Sequence, residues 1–126
     1  MKLASIDVGL KRIGVAICLT SNIVTPQTAI LRKNRDQAAH DVNSFLKEWE
    51  IEKLIVGFPS ASEEMQKRIK HFVSLLKLQI PYKFQEENMS SIEAEELIKG
   101  EIKYKRDGRV DSLAAKIILE RYLAKK

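Results

Sequence analysis

Leu3-Ala4-Ser5-Ile6-Asp7-Val8-Gly9-Leu10-Lys11-Arg12-Ile13-Gly14 opens the chain, and Val15-Ala16-Ile17-Cys18-Leu19 follows at once. A short apolar run ends in an acid, two glycines bracket two cations, and a second apolar run begins. This reads as strand, glycine turn, strand: a hairpin over residues 2–8 and 12–19 with a carboxylate at its mouth. A carboxylate at the tip of a buried strand is costly unless something pairs with it. Asp7 is therefore the first candidate functional residue, suited to binding a cation or polarising a phosphate.

The pattern extends outward from this hairpin. Ile23 to Leu31 is a third strand, and Pro26 within it predicts an edge position or a bulge. Residues 35–49 change to helical period, with Ala38, Ala39, Val42, Phe45, Leu46 and Trp49 on one stripe. Residues 53–58 form a short buried strand stopped by Pro59. Ser60 or Ser62 caps the next helix, whose stripe is Met65, Ile69, Phe72, Val73 and Leu76.

Pro81 precedes a strand from Tyr82 to Gln85 that ends in Glu86-Glu87-Asn88. Ser90 or Ser91 with Glu93 resembles a capping box, opening a short helix through Ile98 that Gly100 closes. Residues 101–109 are polar and basic and read as a loop. A last helix runs from near Val110 to about Ala124, with Leu113, Ala114, Ile117 and Ile118 inward. The order β-β-β-α-β-α-β-α-α predicts an α/β fold. Its mixed five-stranded sheet has three antiparallel strands, then two parallel ones, and is flanked by helices. A length of 126 residues fits one domain over 1–126.

Hydrophobic residues are 44% and charged residues 31%, the balance of a soluble globular protein. No stretch approaches the roughly 20 apolar residues of a membrane span, so no membrane partner is expected. No basic segment followed by a long apolar one predicts a signal peptide. The lone Cys18 reads as a small buried hydrophobe. A cytoplasmic address fits these features. The formal net charge of +5 favours a polyanionic partner such as nucleic acid.

In a sheet of this order Asp7 ends the first strand, Glu86 or Glu87 ends the last, and Asp111 lies in the first turn of the final helix. Ligand sites of open α/β sheets lie beyond the carboxyl ends of the parallel strands. Ala114 and Ala115 let the Asp111 face approach the sheet closely. Three converging carboxylates would repel one another and raise one another's pKa. A hard divalent cation relieves that conflict, and oxygen ligands without His or Cys point to Mg²⁺ or Mn²⁺ rather than Zn²⁺. Two such ions about 3.5–4 Å apart would hold attacking water and leaving oxygen in line at a phosphodiester.

His40 and His71 sit mid-helix and join no catalytic pattern. Lys11 and Arg12 follow Asp7 directly. A second basic cluster precedes Asp111: Lys99, Lys103, Lys105, Arg106 and Arg109 against Glu101 and Asp107, five cations to two acids, or +3. Acid at the centre with base around it suits cleavage of a phosphodiester backbone.

Together these residues resemble the YqgF/RuvX family of the RNase H-like superfamily, which includes the RuvC Holliday junction resolvases. Asp7-Val8-Gly9-Leu10-Lys11-Arg12-Ile13-Gly14 resembles its opening D-x-G-x-K-R-I-G, and Ile55-Val56-Gly57-Phe58-Pro59 its V-G-x-P segment. Glu86-Glu87-Asn88-Met89-Ser90-Ser91-Ile92-Glu93-Ala94 is similar to D-E-R-x-[ST]-[ST]-x-x-A. Val110-Asp111-Ser112-Leu113-Ala114-Ala115-Lys116-Ile117-Ile118-Leu119 resembles V-D-[AS]-x-A-A-x-x-I-L. The resemblance implies an RNase H-like fold with Asp7, Glu87 and Asp111 as catalytic metal ligands. It also implies a nuclease for the 5′ end of pre-16S ribosomal RNA or for Holliday junctions. Two departures stand out. Glu86 and Asn88 replace the motif's Asp and Arg, and Ser60-Ala61-Ser62 stands where an N-x-D-G loop is usual.

The leading expectation is thus a Mg²⁺- or Mn²⁺-dependent nuclease on structured RNA or branched DNA, as monomer or homodimer. Asp7 would bridge the metals, and Lys11, Arg12, Lys105, Arg106 and Arg109 would bind phosphates. Two other readings compete with it: a nucleotide binder of the actin/sugar-kinase type, and a non-catalytic RNA-binding ribosome-assembly protein.

Overall fold

β1 (Leu3–Val8) and β2 (Arg12–Cys18) pair antiparallel across the glycine turn, with Asp7 opposite Gly14. The Gly9 amide donates to the Arg12 carbonyl at 3.0 Å, and a Cβ on Gly9 would lie 2.6 Å from that oxygen. Only glycine permits so close a turn. These strands belong to a computed structural model that describes residues 1–20, 22–86 and 109–125, including all their side chains except those of 109–111.

β3 (Val24–Leu31) adds antiparallel to β2, while β4 (Lys53–Phe58) and β5 (Tyr82–Glu86) add in parallel beyond β1. The sheet order is β3-β2-β1-β4-β5. This is the expected mixed sheet, with strand ends within a residue or so of those read from the pattern. Pro26 lies on the edge strand, where its missing amide disrupts no central ladder. β3 also carries a bulge, beyond Pro26, which itself pairs in register with Ala16. Ile13 pairs with Ile30 but Val15 with Gln27, so Thr28 and Ala29 together oppose Gly14.

α1 (Arg35–Glu48) and α2 (Glu63–Leu76) cover one face of the sheet. Their predicted stripes, Met65 apart, pack there against Ile6, Val8, Ile13, Val15, Leu54 and Val56. α3 (Arg109–Ala124) covers the other face, its Ala115, Ile118, Leu119 and Tyr122 packing on Leu3, Ala16, Cys18 and Ile55. Trp49 joins the first core, as its stripe predicted. Asn34 caps α1 in a full capping box with Gln37, and Ser62 rather than Ser60 caps α2. The helix expected through Ile98 and the loop expected before Val110 lie outside the described residues. Among the described residues no helix is long and apolar enough to cross a membrane.

Candidate active site

Strand alternation places Asp7 on the α3 face, because Ile6 and Val8 on either side of it are buried in the α1/α2 core. The neighbours of Asp7 across the sheet are small. Gly14 pairs with it on β2, and the Ile6–Val56 pairing brings Gly57 of β4 alongside. Gly57 in turn pairs with the buried Gln85 of β5. The half-buried carboxylate therefore stands between two positions that carry no side chain, at the carboxyl end of a strand flanked by parallel β4.

The direction of α3 brings its first turn to the same end. Lys53, which pairs with Leu3 at the start of β1, donates to the Tyr122 hydroxyl at 2.7 Å. Further along β1, the Ser5 hydroxyl donates to the Ala115 carbonyl at 2.6 Å. Helix and strand thus run antiparallel, so residues 109–111 lie toward the Asp7 end. The predicted close approach of Ala114 and Ala115 is present, both being fully buried.

Ser112 fixes this turn of α3 to the bulge. Its hydroxyl donates to the Gln27 carbonyl and accepts from the Val15 amide at 3.4 Å, two backbone groups at the bulged step. A buried Ser112→Ala change leaves both groups without that partner. It is expected to cost roughly 1–3 kcal/mol, read as a lower midpoint in urea unfolding at unchanged slope.

The hairpin beside Asp7 is clipped from a distance. The Arg32 amide donates to the Lys11 carbonyl at 2.9 Å, and its guanidinium donates to the Gly9 carbonyl at 2.9 Å. That guanidinium also lies 5.3 Å over the Phe72 ring. Arg12 pairs with Leu31 on the α3 face, two residues along β2 from Gly14. It is thus a diagonal neighbour of Asp7, a relation spanning about 7–8 Å. Lys11 is exposed at the turn and Arg12 is half-buried.

Glu86 ends β5 on the opposite face, level with Phe58, and accepts a hydrogen bond from the Ser60 hydroxyl at 2.9 Å. The two departures from the family pattern thus meet each other. His40 and His71 are exposed on α1 and α2, and the His71 ring lies 3.1 Å from the Arg35 guanidinium. Glu87, Lys105 and Arg106 lie outside the described residues, as do the side chains of Arg109 and Asp111. Among the described residues no three metal-ligating side chains cluster, and of the expected trio only the Asp7 side chain is described. Ser5, Arg32 and Ser112 escaped the sequence reading. Their roles are contacts across 110, 23 and 85 positions, which no local pattern signals.

The RuvX family, described as Holliday junction resolvase, matches residues 1–125. A Sulfurovum sp. (strain NBC37-1) protein named "Putative pre-16S rRNA nuclease" is 67% identical over 127 residues, covering 98% of this chain and 99% of its own. A Sulfurimonas denitrificans protein of the same name is 51% identical over 129 residues, covering 100% and 99%. The fowlpox virus Holliday junction resolvase superposes with a TM-score of 0.60 at 16% identity, covering 99% of each chain. Thermus thermophilus RuvC gives 0.56 at 10% identity, covering 99% of this chain and 95% of its own. At such identities the structural likeness speaks for the fold alone, an RNase H-like mixed sheet. The family match and the close relatives both run the length of the sequence, and the chain belongs to the RuvX family.

Proposed function

We propose that this chain is a divalent-metal-dependent nuclease that hydrolyses phosphodiester bonds of structured nucleic acid and processes the 5′ end of pre-16S rRNA in the cytoplasm. The observation that carries the reading is Asp7. Its carboxylate stands between two glycines at the carboxyl end of β1, and antiparallel α3 brings its first turn to that end. The names of the close relatives supply the substrate.

The donors fit a hard cation. Asp7 offers carboxylate oxygen, the two histidines belong to the helices of the other face, and Cys18 is buried opposite Leu3 at the far end of the hairpin. In this proposal Asp7, Glu87 and Asp111 hold Mg²⁺ or Mn²⁺. Glu86 faces away from Asp7 toward Ser60, so Glu87 rather than Glu86 is taken as the ligand. A bound divalent cation supplies charge neutralisation at the phosphate and an activated water.

The chain's own part is binding and orientation. Arg12, diagonal to Asp7, and Lys11 at the turn hold backbone phosphates next to the scissile one. In this proposal Lys105, Arg106 and Arg109, close before Asp111 in the sequence, contribute further phosphate contacts. The Arg32 clip keeps the hairpin from yielding when substrate binds. The Holliday junction reading keeps a place because the family description names it.

One experiment separates these readings. The purified protein, with Mg²⁺ or Mn²⁺, is incubated in parallel with a pre-16S rRNA fragment and a four-way DNA junction. Cleavage of the RNA precursor is expected. Cleavage of the junction alone would transfer the assignment to resolution, and tight binding without cleavage of either would leave an assembly factor.

A further inference from the structure

The turn at residues 8–12 and the β3–α1 connection at residues 31–35 are separated in sequence but joined in space. Arg12 pairs with Leu31, and the Arg32 amide donates to the Lys11 carbonyl. These ten residues carry five cations, Lys11, Arg12, Arg32, Lys33 and Arg35, and no acid, with Asp7 and Asp36 just outside. Amid this charge stand two exposed leucines. Leu10 is 62% exposed and Leu31 60% exposed, so apolar surface lies near a candidate catalytic carboxylate.

The backbone is anchored at both leucines. Gln37, in the first turn of α1, donates to the Leu31 carbonyl at 2.8 Å. The backbone on either side of Leu10 is fixed by the Arg32 bonds to Gly9 and Lys11. Alternation from Ile30, which packs on the α1/α2 core, puts Leu31 on Asp7's face. Asp7, Arg12 and Leu31 therefore run in one diagonal line from the candidate cleavage centre to the sheet edge.

We propose that Leu10 and Leu31 form an apolar wedge that packs against an unstacked base where a paired segment of nucleic acid meets an unpaired one, with Lys11, Arg12 and Lys33 holding the flanking phosphates. Apolar side chains inserted at a base step act this way in other nucleic-acid-binding proteins. The surrounding cations commit the patch to a polyanion, since a second copy of the chain would bring like charge against like. This wedge rests on the nuclease reading and deepens it: the preferred substrate is a boundary between helix and single strand, not a continuous duplex.

The test uses an RNA hairpin with a single-stranded 5′ flank and 2-aminopurine at the boundary, against a blunt duplex of the same stem. Binding is measured in EDTA, so it is read without cleavage. The wild-type protein is expected to prefer the flanked hairpin about tenfold and to raise the 2-aminopurine emission. Leu10→Ser with Leu31→Ser is expected to abolish both effects while keeping the salt-dependent affinity for the blunt duplex. Leu10→Met with Leu31→Met is expected to restore them. An unchanged preference and emission in the double serine variant would overturn the wedge alone. Conversion of a dimer to a monomer by those serines, seen in sedimentation, would also overturn it by making the patch a subunit contact. Failure of the wild-type protein to bind either RNA would overturn the nuclease reading as well.

Discussion

Asp7→Asn is expected to lower Mg²⁺-dependent cleavage roughly a thousandfold, with the fold and the affinity for uncleaved substrate kept. The substitution is nearly isosteric and replaces one carboxylate oxygen with an amide nitrogen that cannot bind a cation. A metal at a phosphoryl centre contributes several kcal/mol of transition-state stabilisation, and about 4 kcal/mol corresponds to three decades of rate. The adjacent positions on β2 and β4 are glycines, which bring no side-chain ligand of their own. Single-turnover cleavage rates of the wild-type and variant proteins make the comparison, with binding measured separately in EDTA. A variant rate within a few-fold of wild type would remove Asp7 from the chemistry.

The second large effect concerns the fold beneath the site. Phe72 is 1% exposed in the core between α2 and the sheet, and its ring also carries the Arg32 guanidinium that holds the Gly9 turn. Phe72→Ala is expected to cost about 3–5 kcal/mol through lost burial and the cavity left behind. In a chain this small that is a large share of total stability and lowers the thermal midpoint by roughly 10–20 °C. Phe72→Leu keeps most of the apolar contact but removes the ring, so it should be milder in stability. It should also loosen the hairpin, read as faster hydrogen exchange at the Gly9 and Arg32 amides. Equal midpoints for the alanine variant and the wild type would show that the core does not depend on this ring.

Much of this architecture was legible in the residues. Gly9 and the paired apolar runs announced the hairpin because a turn this tight admits no Cβ. Pro26 announced the edge position, one of the two readings it allowed, because a residue without an amide cannot serve a central ladder. The stripes of α1 and α2 were legible because helical period is a local property. Partnerships set by strand register were not. Glu86 and Glu87 are equivalent acids in the sequence, yet Glu86 lies on the face away from Asp7 with Ser60 as its partner. Nor did the sequence signal that Arg32 stands beside Lys11, which only the Arg12–Leu31 pairing brings about. Ser112 was visible within a motif, but its bonds to Gln27 and Val15 exist only because the bulge leaves those groups to be satisfied.

If Asp7, Glu87 and Asp111 together capture a divalent ion, Mn²⁺ binding followed by electron paramagnetic resonance depends on all three. Asp7→Asn, Glu87→Gln and Asp111→Asn are each expected to weaken Mn²⁺ binding by about tenfold or more, while Glu86→Gln binds as the wild type does. Wild-type affinity in any one of the first three variants would contradict capture by the three together.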